Sequence, residues 1–210
     1  MRRQPTREEL KQEVSKWGKM CLQLIDCEKP VIAGVNGTAL GIACTSLGVV
    51  DLAYASDKAT FGTPFMQHGF SPEGGSAYTF SAVMGRSKAN EMLLLGRQLS
   101  AKQAENCGLI AEVFPDATFE AELFKRARKM ASFPPNALKQ CKKLCMDCGP
   151  MSRRVLHEVH AKELELLVDR FQTKECADAI QNFIAAQLRK KNQKTAPGRQ
   201  TSKNQNSSKL

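Results

Sequence analysis

Segments with helical and strand-like periodicity alternate along the chain. Apolar positions recur at helical intervals over residues 6–27, and Pro30 ends that segment. Short apolar runs predict strands at 31–35, 52–56, 59–64 and 109–114. Further helices are predicted at about 39–49, 87–95, 101–107, 119–132, 136–146, 152–171 and 174–189. The alternation predicts an α/β domain, and the helical C-terminal third predicts a lid or an interface.

The loop that follows Phe70 carries a carboxylate, that of Glu73. Ser71 is predicted as an N-cap, Pro72 as the first helical residue and Glu73 as a first-turn residue, where the helix dipole favours negative charge. From this placement alone, Glu73 is equally a residue that stabilises the helix and a functional group. Gly74 and Gly75 favour function, because they leave the approach to the carboxylate open.

Two further features favour acid/base chemistry. Phe65, Met66 and Phe70 are expected to exclude water and so raise the pKa of Glu73. Gly41, at a predicted helix start, lets a ligand oxygen approach the backbone N–H of Ile42. A base beside fixed N–H donors suits proton abstraction next to a thioester, where an oxyanion develops.

Charge and composition exclude several classes of protein. The 210 residues are 42% hydrophobic and lack an apolar run long enough for a membrane span or a secretory signal. The net charge is +10, but residues 189–210 carry seven basic residues and no acid, which leaves +3 for the other 188 residues. We therefore expect one domain over residues 1–188 and a disordered basic tail over 189–210, and we consider nucleic-acid binding by this tail a minor alternative.

The tail ends in Ser208, Lys209 and Leu210. This tripeptide is the signal read by the peroxisomal import receptor when it is the free C-terminus of an accessible segment. We therefore expect a location in the peroxisome matrix.

Cysteines and histidines give weaker signals. Without an export signal, the eight cysteines are expected to be free thiols. Cys141, Cys145 and Cys148 have a spacing used by iron–sulfur clusters, but with Leu138 they also form an apolar helical stripe, which predicts packing against a core. The pair His157 and His160 lacks zinc-motif spacing and is interpreted as two surface histidines.

Residues 36–64 (NGTALGIACTSLGVVDLAYASDKATFGTP) with GFSPEGGSAYTF resemble the crotonase, or enoyl-CoA hydratase/isomerase, superfamily, most of all its peroxisomal delta3,delta2-enoyl-CoA isomerase branch. The resemblance extends over residues 9–190. It implies a spiral of ββα turns with a C-terminal helical region that forms trimers, and an acyl-CoA thioester as substrate with no metal or other cofactor. By position, Glu73 matches the acid/base residue and Ile42 an oxyanion donor. Leu40, Gly41, Phe65 and Phe70 are predicted to contact the substrate.

Departures from the family pattern narrow the expected function. Thr45 and Phe65 occupy the positions of the two hydratase glutamates, which disfavours hydration. Chromodomain-linked relatives that bind coenzyme A without catalysis tend to have aspartate where this chain has Glu73. The expected reaction is therefore conversion of a 3-enoyl-CoA to a trans-2-enoyl-CoA in fatty-acid β-oxidation.

The family's N-terminal strands supply the second oxyanion N–H, and they are expected to be missing from this chain. Either the sequence is then part of a longer enzyme, or it is a non-catalytic protein that binds acyl-CoA or an oligomeric partner.

Overall fold

A computed structural model describes residues 5–195 of the chain. It begins with helix α1 (Arg7–Asp26), whose first turn is closed by a capping box between Thr6 and Glu9. The Glu9 N–H donates to Thr6 Oγ1 at 3.2 Å, and the Thr6 N–H donates to Glu9 Oε2 at 2.8 Å. This reciprocal pair satisfies N–H groups that a helix start otherwise leaves open.

Two three-stranded sheets form the centre of the fold. Strands β1 (Ile32–Val35), β3 (Leu52–Ser56) and β6 (Glu112–Phe114) form one sheet, in the order β1-β3-β6 and all parallel. The second sheet has the order β2-β4-β5 and consists of β2 (Thr38–Leu40), β4 (Thr60–Gly62) and β5 (Leu99–Ser100). In it, β2 and β4 are parallel and β5 is antiparallel to β4.

Equivalent strands of successive units pair with each other. Strands β1 and β2 are followed by the short helix α2 (Ile42–Thr45), and β3 and β4 are followed by α3 (Phe65–His68). Because β1 pairs with β3 and β2 with β4, both in parallel, one ββα unit stacks on the next as a turn of a coil. The α/β class with ββα turns is therefore confirmed.

The remaining helices surround this coil. A 3-10 turn (Ser46–Gly48) follows α2, and the later helices are α4 (Ser76–Met84), α5 (Arg86–Leu93), α6 (Ala101–Asn106), α7 (Asp116–Ala131), α8 (Pro135–Cys148), α9 (Arg153–Phe171) and α10 (Lys174–Thr195). Residues 189–195, assigned to the tail from the sequence, thus continue the last helix. Ser208, Lys209 and Leu210 lie outside the described residues.

Two predicted helix boundaries are wrong. The segment 39–49 is not one helix, because Thr38–Leu40 pairs with β4 and the helix begins only after Gly41. The helix predicted to start at Pro72, with Ser71 as its N-cap, begins at Ser76 instead, with Gly75 in the N-cap position. Glu73 therefore lies in the turn before α4 and not in its first turn.

Burial corrects two side-chain predictions. Cys141, Cys145 and Cys148 are exposed on α8, so the predicted stripe does not pack on the core of the described chain. His157 is exposed, as expected, and lies 2.8 Å from Asp26 Oδ1. His160 is buried, with 7% of its surface exposed, so its interpretation as a surface residue is wrong.

The main core lies between the sheets and helices α4 to α6. It includes the fully buried side chains Phe61, Phe80, Met92 and Leu99. Helices α1 and α9 pack together on one side of it, through Val14, Leu167 and Val168. Among residues 5–195, no helix has both the length and the apolar character needed to span a bilayer.

Candidate active site

A cavity of about 850 Å³ lies between the loops of the coil and the C-terminal helices. The six residues predicted for catalysis or substrate contact all line it: Leu40, Gly41, Ile42, Phe65, Phe70 and Glu73. They come from β2, α2, α3 and the turns beside them, so the fold brings together residues up to 33 positions apart. Their chemical roles stay predictions.

Glu73 is held in a tight turn. The Glu73 carbonyl accepts hydrogen bonds from the Ser76 N–H at 3.1 Å and the Ser76 hydroxyl at 2.7 Å. Gly74 and Gly75 follow with φ values of 67° and 82°, a left-handed backbone that favours glycine. A Cβ at Gly74 would lie only 2.5 Å from Thr45 Oγ1, so this turn packs directly against α2.

The start of α2 faces the carboxylate. Gly41 has φ 56° and ψ −127°, and a Cβ built on it would lie 3.7 Å from Glu73 Oε1. No side chain at position 41 therefore separates Glu73 from the first turn of α2. The first N–H groups of a helix have no acceptor within that helix, so the N–H of Ile42 is suited to bind a ligand oxygen.

The surroundings of Glu73 change its acidity. Burial, and to a smaller extent the nearby Glu163 carboxylate, together raise the pKa of the Glu73 carboxyl from 4.5 to about 7. Near neutral pH, Glu73 therefore populates both its protonated and its ionised form. A single group in this condition can both remove and return a proton.

Aromatic side chains form much of the cavity wall. Phe65 is 2% exposed, and the Phe70 ring lies 4.8 Å from Phe171 and 5.2 Å from the His68 ring, centre to centre. The ring of Phe183 on α10 contacts His68 at 4.3 Å. Met66, which the sequence also predicts in this wall, is 43% exposed and does not line the cavity.

Of two buried polar residues on α9, the sequence reasoning missed Glu163 and assigned His160 to the surface. Glu163 is 6% exposed, and its two carboxylate oxygens accept hydrogen bonds from the N–H groups of Gly75 and Ala77. His160 is buried beside it, and its Nδ1 has no hydrogen-bond partner among the described residues. Leu156, His160, Glu163 and Leu167 share one helical face, and that periodicity is the signal that would have found them.

The described part of the chain contains no group of three His, Cys, Asp or Glu side chains arranged to hold a metal ion. Cys141, Cys145 and Cys148 remain separate free thiols on α8. A ligand in the cavity would contact the Glu73 carboxylate, the start of α2 and several aromatic rings.

Residues 3–192 match the family model described as enoyl-CoA hydratase/isomerase. The chain belongs to this family. A crystal structure of an enoyl-CoA hydratase/isomerase from Pseudoalteromonas atlantica T6c superposes with a TM-score of 0.76 at 30% identity, over 80% of this chain and 66% of that one. The crotonase fold and the resemblance that was inferred from the sequence are thereby both confirmed.

Curated relatives point in the same direction. "Enoyl-CoA delta isomerase 2" from Homo sapiens is 47% identical over 161 residues, which cover 77% of this chain and 40% of that protein. "Enoyl-CoA delta isomerase 3, peroxisomal" from Mus musculus is 42% identical over 76% of this chain and 50% of its own length. "Testis-specific chromodomain protein Y 1" from Homo sapiens is 38% identical over 68% of this chain and 26% of its own length. The chain thus spans about two fifths of the length of the human isomerase.

Proposed function

We propose that the protein is an enoyl-CoA delta isomerase, which converts a 3-enoyl-CoA into the trans-2-enoyl-CoA. The observation that supports this most is the position of the Glu73 carboxylate, whose Oε1 lies beside Gly41 and the first turn of α2 within one apolar cavity. A proton acceptor and the main-chain N–H of Ile42 then meet around a single bound thioester.

Glu73 acts as the only proton carrier in this mechanism. Its ionised carboxylate removes a proton from C2 of the substrate, and the C3=C4 electrons become part of a dienolate. The N–H of Ile42 donates to the thioester oxygen as negative charge develops there. The protonated Glu73 then returns the proton to C4, which leaves the double bond between C2 and C3, and no oxidant or added water is consumed.

Hydration is a weaker candidate on the same geometry. Addition of water needs a second acid/base group to position and activate the water, and the matching positions hold Thr45 and Phe65. Thr45 is fully buried against Gly74, and Phe65 is 2% exposed in the cavity wall. Neither side chain carries a proton whose pKa is in the range of a carboxyl group.

Location and assembly belong to the same proposal. A peroxisomal role in fatty-acid β-oxidation is supported by the word "peroxisomal" in the name of the mouse relative and by the sequence Ser208-Lys209-Leu210. Trimer formation is supported by the family resemblance and by exposed apolar side chains such as Leu95, which is 75% exposed, and Leu144, which is 63% exposed.

The test of isomerase activity is turnover of a 3-enoyl-CoA, followed by the ultraviolet absorbance of the conjugated product. We expect activity in the wild-type chain and a loss of about 10⁴-fold in Glu73→Gln, because general acid/base catalysis by one group supplies up to about that factor. Glu158→Gln is the matched control, since Glu158 is an exposed carboxylate paired only with Arg154 in the described chain. Full activity in Glu73→Gln contradicts the mechanism.

A second candidate is acyl-CoA binding without catalysis. The family resemblance supports it, because it includes chromodomain-linked proteins that bind coenzyme A without catalysis, and a human chromodomain protein is among the relatives of this chain. Calorimetric titration with a saturated acyl-CoA separates the two functions. Binding with no turnover of 3-enoyl-CoA at high protein concentration supports the binding protein and refutes the isomerase.

A further inference from the structure

Helix α4 receives its N-terminal cap from a distant element. The helix starts at Ser76 after Gly75, which has no side chain to accept from the free N–H groups of the first turn. Glu163 of α9 takes over this role: its Oε2 accepts from the Gly75 N–H at 2.6 Å, and its Oε1 accepts from the Ala77 N–H at 2.8 Å. Both oxygens are therefore bound to the backbone that directly follows Glu73.

Glu163 also lies close to Glu73 itself. A small cavity of about 10 Å³ is lined by Glu73, Gly74, His160 and Glu163. This space shares Glu73 and Ile42 with the large cavity, whereas Glu163 lines only the small one. Glu163 thus lies beside the Glu73 turn without lining the space for the proposed substrate.

We propose that Glu163 is a positioning residue for Glu73, which fixes the turn that carries Glu73 and supplies a second negative charge to the site. This inference rests on the proposed function of Glu73 as the base. Glu163 does not line the large cavity and takes no part in proton transfer. Its effect on the reaction passes through the position and the ionisation of Glu73.

The other titratable groups that face Glu73 are uncharged near neutral pH. Burial lowers the pKa of His160 on α9 and of His68 on α3 below the ordinary value of a histidine. Burial raises the pKa of the Cys21 thiol on α1 to about 12. Among the described residues that line the two cavities, α2 and α10 contribute no titratable side chain.

Glu163 therefore supplies the negative charge near Glu73. Burial raises the pKa of Glu163 itself, and its two bonds from backbone N–H groups, which favour its ionised form, limit that rise to about 7. None of the described contacts of Glu73 donates a hydrogen bond to its carboxylate, and the negative charge of Glu163 opposes its ionisation. The acid limb of the activity profile should then report the Glu73–Glu163 pair.

The experiment compares pH profiles of kcat/KM for wild type, Glu163→Gln, Glu163→Asp and the control Glu158→Gln. Wild type should lose activity on acidification with a midpoint near pH 7. In Glu163→Gln the midpoint should move to lower pH, because the like charge is gone. The plateau should fall about tenfold, because Gln accepts only one of the two N–H groups.

Glu163→Asp separates charge from reach. It keeps the negative charge, so its midpoint should stay near pH 7, while its shorter side chain should lower the plateau. Glu158→Gln should match wild type in both respects. A merely structural role of Glu163 lowers the plateau and the melting temperature of the Gln variant without moving the midpoint, and this result would overturn the inference.

A readout without turnover separates this inference from the proposed function. The carboxyl ¹³C resonance of Glu73, assigned by its loss in Glu73→Gln, should titrate at lower pH in Glu163→Gln than in wild type. If this shift occurs but no variant turns over 3-enoyl-CoA, the isomerase proposal fails and the coupling of the two carboxylates stands. If wild type is active and neither the resonance nor the acid limb moves, the role of Glu163 is refuted. If Glu163→Gln does not fold, the Asp variant decides, and a midpoint well below pH 7 in it contradicts the inference.

Discussion

Gly74→Ala tests the turn that carries Glu73. The alanine must adopt a backbone with φ 67°, which costs about 1 kcal/mol or somewhat more for a residue other than glycine. Its methyl group must also fit 2.5 Å from Thr45 Oγ1 and 3.3 Å from Ile42 Cδ1. Thr45 is fully buried and cannot swing into solvent, so overpacking adds about 1–3 kcal/mol.

The expected loss in the free energy of unfolding is therefore about 3 kcal/mol. Urea unfolding followed by circular dichroism measures it, with Gly37→Ala as the control, because a Cβ at Gly37 meets nothing within 4 Å. The control should change stability by less than about 0.5 kcal/mol. Any folded Gly74→Ala protein should also isomerise more slowly, since the clash displaces the Glu73 turn.

A double-mutant cycle identifies the source of the loss. Thr45→Ala removes the hydroxyl group, which is the nearest atom to a Cβ at position 74, and should restore part of the stability of Gly74→Ala, leaving mainly the backbone strain. If Gly74→Ala is as stable as wild type, or if Thr45→Ala restores nothing, the close packing of this turn on α2 is wrong.

Three further predictions concern stability and location. Lys142→Met should lower the free energy of unfolding by about 2–3 kcal/mol, because it leaves the Asp51 carboxylate, 2.7 Å from the Lys142 Nζ, without its buried partner. Lys143→Met breaks an exposed pair and should cost less than about 1 kcal/mol. Equal effects of the two variants in urea unfolding would contradict this prediction. Because the pKa of Glu73 is raised to about 7, its ionisation destabilises the fold as the pH rises from about 4.5 to 7. Glu73→Gln should therefore be more stable than wild type at pH 8, by at most about 3 kcal/mol, and should gain nothing at pH 4. The opposite pH trend would refute the burial of this carboxyl. A fluorescent protein ending in residues 189–210 should enter peroxisomes and the same fusion lacking residues 208–210 should not, as judged by co-localisation with a matrix marker.

Elements whose cause is local were predictable from the sequence. The periodicity over residues 6–27 predicts α1 (Arg7–Asp26), whose capping box of Thr6 and Glu9 lies within one stretch of chain. Its apolar positions Trp17 and Met20 are nevertheless 51% and 41% exposed. Six of the residues that line the large cavity were also identified. A glycine at a helix start and a carboxylate beside two glycines are local features, and the family resemblance added the other positions. The family match then placed these features in one fold.

Elements whose cause is distant were not predictable. Ser71 and Pro72 have the sequence of a helix start, but α4 begins at Ser76 because Glu163, 88 residues from Gly75, caps its first turn. The strand at Thr38–Leu40 exists because β4 lies beside it, which a run of small residues does not reveal. The cysteine stripe of α8 has the correct periodicity, but periodicity does not specify whether anything covers that face.

The last helix gives the cavity a wall that is separate from its chemistry. Phe183, Ala186 and Gln187 of α10 line the cavity, while Glu73 and Ile42 lie more than 100 positions earlier in the chain. A larger side chain at position 186 would reduce the volume of the cavity and leave the Glu73 turn untouched. Under the proposed function, the size of the acyl group accepted can therefore change through α10 without a change in the acid/base residue.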